Sequence, residues 1–171
     1  MNSALLILHL AAVLLAALAL WSMRHEFTEK AATRLDWVIP PALAVVVAAV
    51  LLIVSPGKRF ELWTVGIVAG LAIGLVMGTA LEAIKDFARG LVRVNRTWDG
   101  LAAAALLLLV ALARVVTSDL MDRPSGKFGV LGAAAAFLAA YLTGRCITLH
   151  LYTAPKSIHL DMIRGERRRT D

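Results

Sequence analysis

The chain has 171 residues and a net charge of +6, with 60% hydrophobic and only 18% charged residues. Soluble domains carry ~45–50% apolar and ~25% charged residues, and an excess of this size cannot be hidden in so small a core. The mean hydropathy of +0.77 excludes an ordinary soluble enzyme and a disordered chain, and a single cysteine excludes a disulfide scaffold.

Five apolar segments set the architecture, at residues 4–21, 37–54, 62–81, 101–116 and 130–152. A helix needs ~20 residues to cross a ~30 Å hydrocarbon core. Barrel strands would alternate apolar and polar residues, and these segments do not. The expected fold is all-α: one integral membrane bundle of five transmembrane helices, with a short basic tail over 153–171.

Segment one has no cation before its apolar run, and Arg24 and Lys30 follow it. A cleaved signal has the reverse order, so this reads as a retained span. Segment two contains Pro40 and Pro41, expected in its first turn, where a missing N–H costs little; Pro56-Gly57 ends it. Segment three holds Gly66, Gly70, Gly74 and Gly78 at a spacing of four, a continuous small-residue stripe along a helix. Lipid tails are as apolar as side chains, so association of spans relies on close backbone approach. The stripe predicts packing within the chain or between copies, with segment three as the packing centre. Segment four is short and is expected to borrow Trp98 and Thr117 as its ends. Segment five repeats the stripe in milder form with Gly132, Ala136, Ala140 and Gly144.

The basic residues lie between the apolar runs and mark sides of a membrane, which removes the nucleic-acid reading of the positive charge. The first connection has Arg24, Lys30 and Arg34. The third has Lys85, Arg89, Arg93 and Arg96, and the tail adds five more, twelve in all. The opposite side carries four: Lys58, Arg59, Arg123 and Lys127. This asymmetry places the N-terminus outside and the tail in the cytoplasm of a bacterial inner membrane. Trp21, Trp37, Trp63, Trp98 and Tyr152 fall at span ends, as amphipathic rings do.

Over 82–99, Ile84, Phe87, Ala88 and Leu91 share one helical face, and Lys85, Arg89, Arg93 and Arg96 follow another. Either this is a helix lying in the interface with its cations on anionic headgroups, or it is a solvated basic loop. Within the spans, the ionisable residues are His9, Arg114 and Arg145, and intramembrane ionisable groups are functional candidates by default. His9 is expected to bond a carbonyl or hydroxyl of another helix. Arg114 is expected to snorkel or pair with Asp119, and Arg145 to snorkel. Cys146 and His150, four apart, share a helical face that suits a metal, but two ligands do not complete a site. No HExxH, GxSxG or GxxxxGK[ST] pattern is present in the sequence, so no catalytic residue, cofactor or metal is assigned.

Residues 37–116 resemble the CcdC-like family of small bacterial membrane proteins. The matching features are Ile39-Pro40-Pro41 opening a span, Pro56 closing it, Lys58-Arg59 beyond, a Gly-rich span, a basic connection and a helix ending in Arg114. The resemblance implies a multi-span membrane protein with a genomic association to cytochrome c maturation, and it assigns no catalytic residues. The leading expectation is a non-enzymatic accessory or assembly-type protein whose partners are the bilayer, anionic lipids and a second copy or another membrane protein. The alternatives are a small transporter or oligomeric channel, or a protein handling haem or metal through His9, Cys146 or His150.

Overall fold

The computed structural model describes residues 3–24, 32–55, 59–81, 83–86, 91–94, 97–120 and 129–151. Among the described residues there are five helices: α1 (Ser3–Ser22), α2 (Arg34–Ile53), α3 (Phe60–Thr79), α4 (Asp99–Leu120) and α5 (Gly129–Leu151). They have 20, 20, 20, 22 and 23 residues. At ~1.5 Å per residue each spans ~30 Å or slightly more, the thickness of a bilayer core. All five are long and apolar enough to cross a membrane.

Two boundaries differ from the sequence reading. α4 runs from Asp99 to Leu120 and is a full-length span, not a short one. Its start is displaced to Asp99, whose carboxylate suits the positive end of a helix. α2 begins at Arg34, three residues earlier than expected, which puts Pro40 and Pro41 inside the helix instead of in its first turn.

Over 83–94, the described parts of the stretch expected as either an interfacial helix or a solvated basic loop are strands instead. They form β2 (Ala83–Asp86) and β3 (Leu91–Val94), and the first connection adds β1 (Ala32–Thr33). The sheet is antiparallel in the order β1-β3-β2, with Lys85 opposite Val92 and Ile84 opposite Arg93. Leu91-Val92-Arg93-Val94 sets two β-branched valines at the strand spacing of two, Gly90 weakens any helix through it, and β1 supplies a pairing partner. Lys85 and Arg93 therefore sit on strands, while Arg89 and Arg96 lie outside the described residues. The β1–β3 pairing also puts the first and third connections at the same end of the bundle.

α5 is the centre of the bundle. It packs against α2, α3 and α4, and its most extensive contact is with α3; α1 packs on α2 and α4. Half of the most apolar stretch of α5 is buried, against 11% for α3. The expectation that the third span is the centre is thus corrected: α3 lies at the periphery and is held chiefly by α5. The core is rich in alanine, including Ala16, Ala44, Ala48, Ala104, Ala135 and Ala139. Small side chains allow close helix approach, whereas large ones such as Leu14, Val65 and Leu109 stay on the exterior, where lipid solvates them.

Candidate functional site

The glycines of α3 face the backbone of α5. A Cβ at Gly66 would stand 2.9 Å from the Ala133 carbonyl oxygen. At Gly70 it would fall on the Phe137 carbonyl oxygen, at Gly74 on that of Tyr141, and at Gly78 on the Thr148 hydroxyl. Both helices run in the same direction, so a spacing of four on α3 meets a spacing of four on α5. This approach brings glycine Cα–H groups toward carbonyl oxygens, a weak attraction repeated along the seam. From α5, Gly144 faces the same seam, its Cβ position 2.6 Å from the Leu71 carbonyl oxygen. The other members of the α5 stripe lie elsewhere. Gly132 faces Leu52, Ser55 and Trp63, and Ala136 and Ala140 line an apolar groove between α2, α3 and α5.

The densest polar cluster joins α4 to α5 at the sheet end. Arg145, 2% exposed, places Nε 3.0 Å from Asp99 Oδ2. Its Nη2 donates to Thr97 Oγ1 at 2.8 Å and to Asp99 Oδ1 at 3.3 Å. Tyr141, one turn earlier on α5, donates its hydroxyl to Asp99 Oδ2 at 2.8 Å. The carboxylate therefore accepts from two side chains of α5 while sitting in the first turn of α4, where the helix dipole favours an anion. Arg145 does not snorkel to the surface. At this end, Arg24 also lies 4.6 Å over the Trp21 ring, a cation–π contact at the interfacial level.

Arg114 is buried as well and does not reach outward. Its Nη2 donates to the Val54 carbonyl at 3.1 Å, just beyond the end of α2. The last carbonyls of a helix lack intrahelical donors, and a cation there is favoured by the dipole. His9, 3% exposed, keeps its bond within α1: Nδ1 lies 2.7 Å from the Leu5 carbonyl oxygen. The expectation of a partner on another helix is corrected for that nitrogen, and Nε2 has no hydrogen-bond partner among the described residues.

Cys146 has a local role. Pro40 and Pro41 carry no N–H, so the Trp37 carbonyl has no amide donor three or four residues ahead in α2. Cys146 Sγ donates to that oxygen across the α2–α5 contact at 3.4 Å. His150 Nδ1 lies 3.0 Å from the Cys146 carbonyl oxygen and 3.7 Å from its sulfur. Among the described residues, no three His, Cys, Asp or Glu side chains converge as a metal-binding group. The structure brings Arg145 and Cys146 into two different helix–helix ties and leaves His9 and Arg114 in separate places.

Sequence reasoning missed Asp99, Tyr141 and Thr97 as partners of Arg145. The signal was partial: an acidic residue opens α4 and a basic one lies in the last two turns of α5, ends that share one side of the bundle. Comparison with protein families, with curated proteins and with solved structures finds no match for this chain.

Proposed function

We propose that the chain is a non-catalytic accessory or assembly-type protein of the bacterial inner membrane. The observation that carries this reading is how its intramembrane polar groups are used. Arg145 binds Asp99 and Thr97, Arg114 binds the end of α2, Cys146 binds Trp37, and His9 binds within α1. Each joins helices or closes a local backbone bond, whereas a transport path would arrange polar groups along one water-accessible line. The basic excess on the first connection, third connection and tail supports an outside N-terminus and a cytoplasmic tail. The same connections would attract anionic headgroups, with ~1 kcal/mol per cation near the surface. The resemblance to the CcdC-like family belongs to this proposal through the Pro40-Pro41 and Pro56 pattern.

Two measurements on the full chain test it. Purification from native membranes should retain a membrane protein in fixed stoichiometry, either a second copy or a different chain. Reconstituted vesicles should leak ions and small solutes no faster than empty ones. Saturable flux through the reconstituted protein would replace this reading with the transporter.

A further inference from the structure

One face of α5 carries three chemistries in succession. At its start, the Arg59 stem rests on Gly129, with Cδ 3.4 Å from the place a Cβ would occupy. One turn on, at Gly132, Ser55 Oγ lies 3.6 Å and Trp63 Nε1 3.7 Å from the corresponding point. Both are buried donors with no hydrogen-bond partner among the described residues, and Ser55 is only 8% exposed. Burying a hydroxyl or an N–H unpaired is costly, so such atoms mark a missing acceptor. Leu52, whose Cδ2 lies 3.2 Å from the Gly132 position, connects them to the next region. There α2, α3 and α5 enclose a groove of about 320 Å³ walled by Ala48, Leu52, Leu71, Ala136 and Ala140 and ending near Thr143. Its rims include Val45 and Ile67, 48% and 44% exposed, so it opens to the outer surface of the bundle, where lipid is.

We propose that this face is a binding site for one phospholipid with an anionic headgroup. Its phosphate meets Arg59, an ester carbonyl accepts from the Ser55 hydroxyl and the Trp63 indole N–H, and an acyl chain fills the groove. The order of cation, donors and apolar trough is the order of groups along a lipid. From Gly129 to Thr143 the helix rises ~21 Å, the depth of about one bilayer leaflet and its interface. A cavity of ~150 Å³ already takes a benzene ring, so a groove of about 320 Å³ has room for much of an acyl chain. The site lies at the end opposite the sheet, apart from the basic connection that carries Lys85 and Arg93.

The test is native mass spectrometry of the purified full chain titrated with phosphatidylglycerol or phosphatidylcholine. The first phosphatidylglycerol should bind at least fivefold more tightly than the first phosphatidylcholine. Arg59→Gln should abolish that preference. Ser55→Ala, which changes little volume, should weaken both lipids, and Ala140→Leu, which fills the groove, should weaken both further. Glycerol phosphate, the headgroup without chains, should not compete, and Lys85→Gln with Arg93→Gln should leave the first binding step unchanged. Equal affinity for the two lipids, or indifference to Ser55→Ala and Ala140→Leu, would overturn the proposal. So would full competition by glycerol phosphate, which would mean a simple phosphate site, or a loss caused by the Lys85/Arg93 variant, which would place the lipid at the other end.

Discussion

Cys146 Sγ lies 3.4 Å from the carbonyl oxygen of Trp37, the one oxygen in α2 whose donors three and four residues ahead are both prolines. A Pro-Pro pair inside a transmembrane helix leaves backbone oxygens that neighbouring helices must satisfy, because the bilayer core holds no water. The thiol of α5 does this for Trp37. It explains why a lone cysteine stands at the α2–α5 contact without any redox partner.

Cys146→Ala should therefore lower stability by about 0.5–1 kcal/mol, the worth of one modest hydrogen bond, while Cys146→Ser keeps a donor and much of the effect. In a Pro41→Ala background, where an amide can serve Trp37, Cys146→Ala should cost less. Thermal unfolding of the four variants in detergent gives the coupling directly.

The Arg145–Asp99 pair predicts a larger effect. Removing one partner of a buried ion pair leaves the other uncompensated, typically at ~3–5 kcal/mol. The Asp99 side chain is 25% exposed, which puts Asp99→Asn or Arg145→Gln at the lower end, about 3 kcal/mol. The double variant should be less destabilised than the sum of the two singles, as chemical unfolding would show. Tyr141→Phe, which removes one donor to the same carboxylate, should cost about 1 kcal/mol.

Arg114→Leu retains bulk but leaves the Val54 carbonyl without this donor. Loss of a hydrogen bond to a charged group at a helix C-terminus should cost about 1.5–3 kcal/mol. Protection of the amides in the last turn of α2 against hydrogen exchange should fall, while that of α1 should not.

Span number and membrane class were legible because they depend on run length, and runs of ~20 apolar residues have few other readings. The glycines of α3 were legible as a stripe, but not which helix meets them: Gly66 to Gly78 specify a close neighbour, and only the fold identifies it as α5. Arg145 and Arg114 were read toward the surface because snorkelling is a property of one side chain in one helix. Their partners, Asp99 and Val54, lie on other elements and depend on packing. Neither the interfacial helix nor the solvated loop expected around Lys85 and Arg93 anticipates strands, because the apolar residues fit a helical face and only Val92 and Val94 show the strand spacing of two. The pairing with Ala32–Thr33, far away in sequence, favours the strand.

The central claim is that α3 is attached to the bundle by its glycine face against the backbone of α5 within one chain. Gly74→Leu tests it most directly, because a Cβ there already falls on the Tyr141 carbonyl oxygen, and Val68→Leu on the exposed face of the same helix is the control. Thermal unfolding of the monomer in detergent should show Gly74→Leu destabilised by several kcal/mol, beyond the ~1–3 kcal/mol of ordinary overpacking, because backbone cannot move aside as a side chain can, and Val68→Leu unchanged. Equal unfolding temperatures for the two variants would contradict the claim and place the glycine face of α3 against lipid.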